Sequence, residues 1–127
     1  MSGLKRKMSK MAEDGIASTP EPPYYAVIFT SIRTDDLAGY GEAAERMMEL
    51  AAGMPGFLGV EAARERVGIT VSYWRDLESI AAWKRHAEHV ETQGEGRRRW
   101  YGRYVTRIAR VERDYSFDRP NDLVLPP

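Results

Sequence analysis

The chain has 127 residues, 43% hydrophobic and 30% charged, which is enough for one domain with a real core and too few for two. Nineteen basic residues balance nineteen acidic ones, so net charge supplies no pull toward nucleic acid or anionic lipid. There is no cysteine, which excludes disulfides, thiolate metal sites and thiol nucleophiles together.

Residues 1–23 carry four basic residues by Lys10 and end in Pro20-Glu21-Pro22-Pro23. With no helical or strand period, they read as a disordered or loosely packed N-terminal arm. They also lack the apolar stretch of a secretory signal, and no later run approaches the roughly 18 to 20 residues of a membrane span. A cytoplasmic protein without membrane contact is expected.

The domain proper is expected over 24–117. Tyr24 to Arg33, rich in β-branched and aromatic residues, reads as a first strand, apolar on both faces. Thr34-Asp35-Asp36 then supplies an N-cap and negative charge for a helix. Leu37, Tyr40, Ala44, Met47, Ala51 and Met54 recur at spacings of three and four, one buried stripe, and Gly53 with Pro55-Gly56 stops it.

Phe57 to Arg64 and Gly68 to Trp74 read as an antiparallel hairpin around a short turn. In the second strand Ile69, Val71 and Tyr73 share one face, and Thr70, Ser72 and Trp74 the other. Tyr73 is assigned to the face under the helices. A second helix begins near Asp76 or Leu77, buries Ile80, Trp83 and Ala87, and is expected to break around Gly94-Glu95-Gly96. Arg97 to Gly102 suggests another helical turn, and Tyr104 to Tyr115 a last strand. Residues 118–127 form a C-terminal tail in which Leu123-Val124-Leu125 has the character to pack on a neighbouring surface.

The order β-α-β-β-α-β is the ferredoxin-like split unit of the α+β class, with two helices on one face of a four-stranded antiparallel sheet. Because the strands look apolar on both faces, the second face needs a cover. A second copy of the same sheet provides one, which predicts a homodimer closed as a dimeric α+β barrel.

Chemistry concentrates around the strand-to-helix corner. Trp74 offers an apolar wall and an N–H donor, and Trp83 offers another. His86 or His89 is a candidate base, since imidazole exchanges protons near neutral pH. Thr70 and Ser72 share the face of Trp74, and Arg64 is a candidate oxyanion partner. The histidines, three apart on a helix, also suit a solvated surface, and a metal is not expected. Arg97-Arg98-Arg99 with Trp100-Tyr101 resembles a basic-aromatic patch, but Glu91, Glu95 and Glu112 lie near and no nucleic-acid partner is expected. No dinucleotide or phosphate-loop motif appears.

Met54-Pro55-Gly56-Phe57-Leu58-Gly59, Val71-Ser72-Tyr73-Trp74 and Trp83 with His86 and His89 resemble the antibiotic biosynthesis monooxygenase superfamily. The likeness implies a dimeric α+β barrel and a cofactor-independent monooxygenase that oxidises a small aromatic or polycyclic molecule with dioxygen. In such members a tryptophan stands where Trp74 does. On that reading Trp74 and His86 are catalytic, and Trp83, Thr70, Ser72, Arg64 and His89 bind substrate. No cofactor is then needed. Haem-degrading members share the nine-residue spacing from Trp74 to Trp83, which makes a haem-binding or haem-degrading protein the alternative. A non-catalytic dimer that holds a small molecule is the third reading.

Overall fold

The computed structural model of the chain describes residues 14–94 and 99–120, with side chains outside the description at 89–94. The elements are β1 (Tyr24–Arg33), α1 (Tyr40–Ala52), β2 (Phe57–Arg64), β3 (Gly68–Trp74), α2 (Leu77–Gly94) and β4 (Tyr101–Val111). The strands form one sheet in the order β2-β3-β1-β4, with every neighbouring pair antiparallel. This is the ferredoxin-like arrangement, in which α2 carries the chain from β3 across β1 to β4.

Local chemistry accounts for most boundaries. Asp76 caps α2, its carboxylate accepting the Ser79 N–H at 2.7 Å. That bond, chiefly, holds the Asp76 carboxyl below its ordinary range. Gly56 ends the turn before β2 at φ 85°, and a Cβ there would run into the Ser79 side chain. Its carbonyl accepts the Arg75 N–H at 2.8 Å, which locks the turn to the β3–α2 corner.

Two elements differ in their limits from the sequence reading. Helix α1 starts at Tyr40 behind Gly39, at φ 77°, without a side-chain cap. Thr34 does not cap it because its hydroxyl bonds the Arg99 carbonyl and its N–H bonds the Trp100 carbonyl at 2.7 Å. Those bonds draw residues 99–100 alongside β1, so β4 begins at Tyr101 and ends at Val111, three and four residues before the expected limits. Glu95, Gly96, Arg97, Arg98 and Leu123-Val124-Leu125, on which other expectations rested, lie outside the described residues.

Register assigns the faces. Tyr25 and Phe57 both pair with Trp74, so these three point toward the helices. There Ala51, Phe57, Val60, Trp74 and Ile80 form the core, with Val27, Met48, Met54 and Trp83 packed against it.

Tyr73, expected under the helices, points to the opposite face, because adjacent strand residues alternate and Trp74 holds the helix side. Its hydroxyl donates to Glu61 Oε1 at 2.6 Å and its ring meets Tyr24 edge-on at 5.8 Å. Tyr24 in turn donates to Asp114 Oδ2 at 2.6 Å and accepts from Thr19 at 3.0 Å. Ala17 N–H donates to the second Glu61 oxygen at 3.0 Å. The end of the N-terminal segment therefore lies on this open face beside Tyr24 and Tyr73, whereas residues 1–13 lie outside the described residues. Burial first, and the bonds to Glu61 and Asp114 next, raise both phenols above their ordinary value of 10.0. No helix among the described residues is long and apolar enough to cross a membrane.

Candidate functional site

Six of the seven residues singled out from sequence lie on the helix side of the sheet, Arg64 at its far end, and the seventh, His89, has its side chain outside the description. Trp74 lies at the floor of that side with 0% exposure, and its indole N–H donates to Ser72 Oγ at 2.9 Å. Phe57 closes on it edge-to-face at 5.4 Å. The expectation of an open indole wall at Trp74 is thus replaced by a packed one: its donor is occupied and its surface covered. Trp83, on the inner side of α2, stacks over Trp74 at 6.0 Å with planes 23° apart. His86, one helical turn on and exposed, lies tilted against Trp83 at 6.1 Å. An indole–indole–imidazole column thus runs from the core to the surface.

Thr70 and Ser72 share this face, both half-buried. Because Ser72 accepts the Trp74 N–H, its own hydroxyl proton remains to be donated. Arg64 lies apart from the tryptophans. It pairs with Gly68 and bonds Ser31 Oγ, and its guanidinium covers Gly68 so closely that a Cβ there would clash. Six residues of β3, roughly 20 Å, separate that level from Trp74, but only two, roughly 7 Å, separate it from Thr70. His89 lies on α2 within the span whose side chains are outside the description.

The helices leave part of this face open. Tyr104, Thr106 and Ile108 of β4 pair with Ser31, Phe29 and Val27 and so point to the helix side, yet Ile108 is 53% exposed. The exposed strip along β4 makes an open trough on the helix side of the sheet. Trp83 lies toward one end of this face, over Trp74, and the Arg64 guanidinium, bonded to Ser31, toward the other.

Aromatic side chains that the sequence does not assign to the site frame the far end. Phe29 meets Tyr101 at 5.4 Å and Tyr104 at 5.3 Å, and Tyr40 meets Trp100 at 5.7 Å and Tyr101 at 5.9 Å. Their signal was present in Trp100-Tyr101 and Tyr104, but it emerges only once β4 is in register with Phe29. Arg99, weighed as part of a basic patch, stacks on the Trp100 ring at 6.0 Å and lies 3.9 Å from Asp36.

The haem-degrading pattern asks for an asparagine on the first strand and a histidine further along the second helix. The helix side of β1 offers Tyr25, Val27, Phe29 and Ser31, with no amide, and His86 lies against Trp83. The described residues do not fit that pattern.

Comparison with known proteins places the chain. Residues 23–95 match the family model for antibiotic biosynthesis monooxygenase. The chain belongs to this family. It is 51% identical over 112 residues to the uncharacterised protein YqjZ of Bacillus subtilis (strain 168), covering 86% of this chain and 98% of YqjZ. Solved structures confirm the fold. PA3566 from Pseudomonas aeruginosa aligns at a TM-score of 0.57 and 12% identity, over 76% of this chain and 99% of its own. A protein of Nitrosomonas europaea assigned as an antibiotic biosynthesis monooxygenase aligns at 0.56 and 16% identity, over 77% and 96%.

Proposed function

We propose that this family member is a homodimeric oxygenase that takes an electron-rich aromatic molecule, a phenol or an anthrone, into the trough on the helix side of the sheet. It oxidises that molecule with dioxygen and needs no cofactor of its own. The observation that supports the reading is the column Trp74–Trp83–His86, an apolar stack that ends in an exposed imidazole.

The chemistry follows from the residues. His86 removes a proton from the bound substrate, for an anthrone the ring methylene proton. The hydroxyls of Ser72 and Thr70 meet the resulting oxyanion, Trp83 covers its ring, and the Arg64 guanidinium at the far end of the trough favours its charge from a distance. The anion passes an electron to dioxygen, the two radicals combine to a peroxide anion, and the proton held by His86 returns to give a hydroperoxide. Loss of water leaves a new carbonyl. One oxygen atom enters the product and the other leaves as water, so the substrate supplies every electron. Trp74 acts through Trp83 as a positioning residue. Steady-state oxygen uptake on anthrones and hydroquinones, compared between wild type and His86→Ala, tests the reading.

The dimer rests on the open face of the sheet, where Ile69 remains 44% exposed on a central strand. Light scattering coupled to size-exclusion chromatography tests it, and a monomer at micromolar concentration contradicts it.

A further inference from the structure

The open face is divided. Its Tyr24–Tyr73 end is bonded to the chain's own residues 17 and 19, while its other end is bare. A shallow depression there is lined by Ile32, Val67 and Val105 and flanked by Arg103 and Arg107. Neither arginine has a carboxylate partner among the described residues. Beyond β4 the chain continues through Tyr115 and Phe117, which are 88% and 80% exposed, to Asp118. Two aromatic rings in water next to a carboxylate complement an apolar hollow between two unpaired guanidinium groups.

We infer that the segment Glu112–Pro120 is a strap that docks on a second copy of the chain. Phe117 enters the partner's depression at Val67 and Val105, and Asp118 pairs with the partner's Arg103 or Arg107. This rests on the homodimer proposed above and adds to it the residues that close it.

Reach decides between a second copy and the same chain. Asp114 is tied to Tyr24, which pairs with Val111 at one end of β4. Three residues from Asp114 to Phe117 span at most about 11 Å. Val105 lies six residues back along β4, roughly 20 Å away. The strap therefore falls short of its own depression. In a face-to-face pair whose two-fold axis crosses the strands, it leaves one sheet where the bare end of the other begins.

The absence of native cysteine allows a clean test. The double variant Val67→Cys/Phe117→Cys is treated with a short bismaleimide and its oligomeric state is followed by light scattering. A covalent dimer linked between positions 67 and 117 of different chains is the expected result. A dimer that gives no such link, or links within one chain, overturns the strap and leaves the dimer standing. A monomer overturns both. In parallel, Tyr115→Ser/Phe117→Ser should raise the dimer dissociation constant at least about tenfold with an unchanged far-ultraviolet spectrum. An unaltered constant overturns the strap.

Discussion

The Trp83 indole lies over the Trp74 indole with ring centroids 6.0 Å apart and planes 23° apart. One ring is sealed in the core and the other leads to His86 at the surface. On the function proposed here, stability and activity fall to different members of one column. Trp74→Ala should cost about 3–5 kcal/mol in urea unfolding, the range for a fully buried large aromatic. His86→Ala should change stability by no more than about 0.5 kcal/mol while lowering kcat/KM for a phenolic substrate about a hundredfold.

Ser72 holds the only described partner of the Trp74 N–H. Ser72→Ala leaves a buried donor without an acceptor and should cost about 1–3 kcal/mol. Ser72→Thr, which keeps the oxygen, should recover part of it. Equal stability of wild type and Ser72→Ala in denaturant titration would refute the bond's importance.

Gly56 combines a left-handed backbone with a Cβ direction blocked by Ser79. Gly56→Ala should lower stability by about 2 kcal/mol, since both the φ angle and the contact oppose a side chain. Pairing it with Ser79→Gly should relieve the contact and leave only the backbone strain. Thermal unfolding of the two variants separates the terms.

The Tyr73 and Tyr24 phenols hold their protons more tightly folded than unfolded. Their contribution is complete well below pH 10.0, where an unfolded tyrosine is half-ionised, and declines as pH rises through and above it. Unfolding free energy measured from pH 8 upward should thus fall beyond about pH 10. The fall should be shallower in Tyr73→Phe, at the expense of the Glu61 hydrogen bond at neutral pH. Asp76 acts at the other end of the scale. Its depressed carboxyl stabilises α2 above the ordinary carboxylate range, and that contribution is lost as pH falls through the folded value.

The described residues supply no amide on β1 and set His86 against Trp83. A haemin titration followed at the Soret band should accordingly give no saturable shift. A saturable shift with bleaching by reductant in air would favour the haem-degrading alternative.

Much of the fold was legible in the chain because punctuation is local. Pro55-Gly56 before β2, the turn ahead of Gly68 and the Asp76 cap fix their elements from neighbouring residues alone. Strand β4 was less legible because Thr34, some 65 residues away, sets its start through bonds to residues 99 and 100. The face of Tyr73 follows from alternation once Trp74 is known to be core, but the sequence does not say which of the two indoles is sealed. Thr70, Ser72, Trp74, Trp83 and His86 gather as one constellation. Arg64 joins only its far end, since the hairpin register sets it beside Gly68. The aromatic frame of Phe29, Tyr40, Tyr101 and Tyr104 needs three elements in register and has no local signature.

The oxidation proposed for this protein needs no cofactor and takes place at the Trp83–His86 end of the trough. Its most direct test is oxygen consumption by purified, chelator-treated protein over a series of anthrones and hydroquinones, with quinone formation followed in parallel. Saturable uptake is expected, with one dioxygen consumed per quinone carbonyl formed from an anthrone and near-complete loss in His86→Ala. No uptake on any substrate of the series, or uptake untouched by His86→Ala and Trp83→Ala, would contradict it.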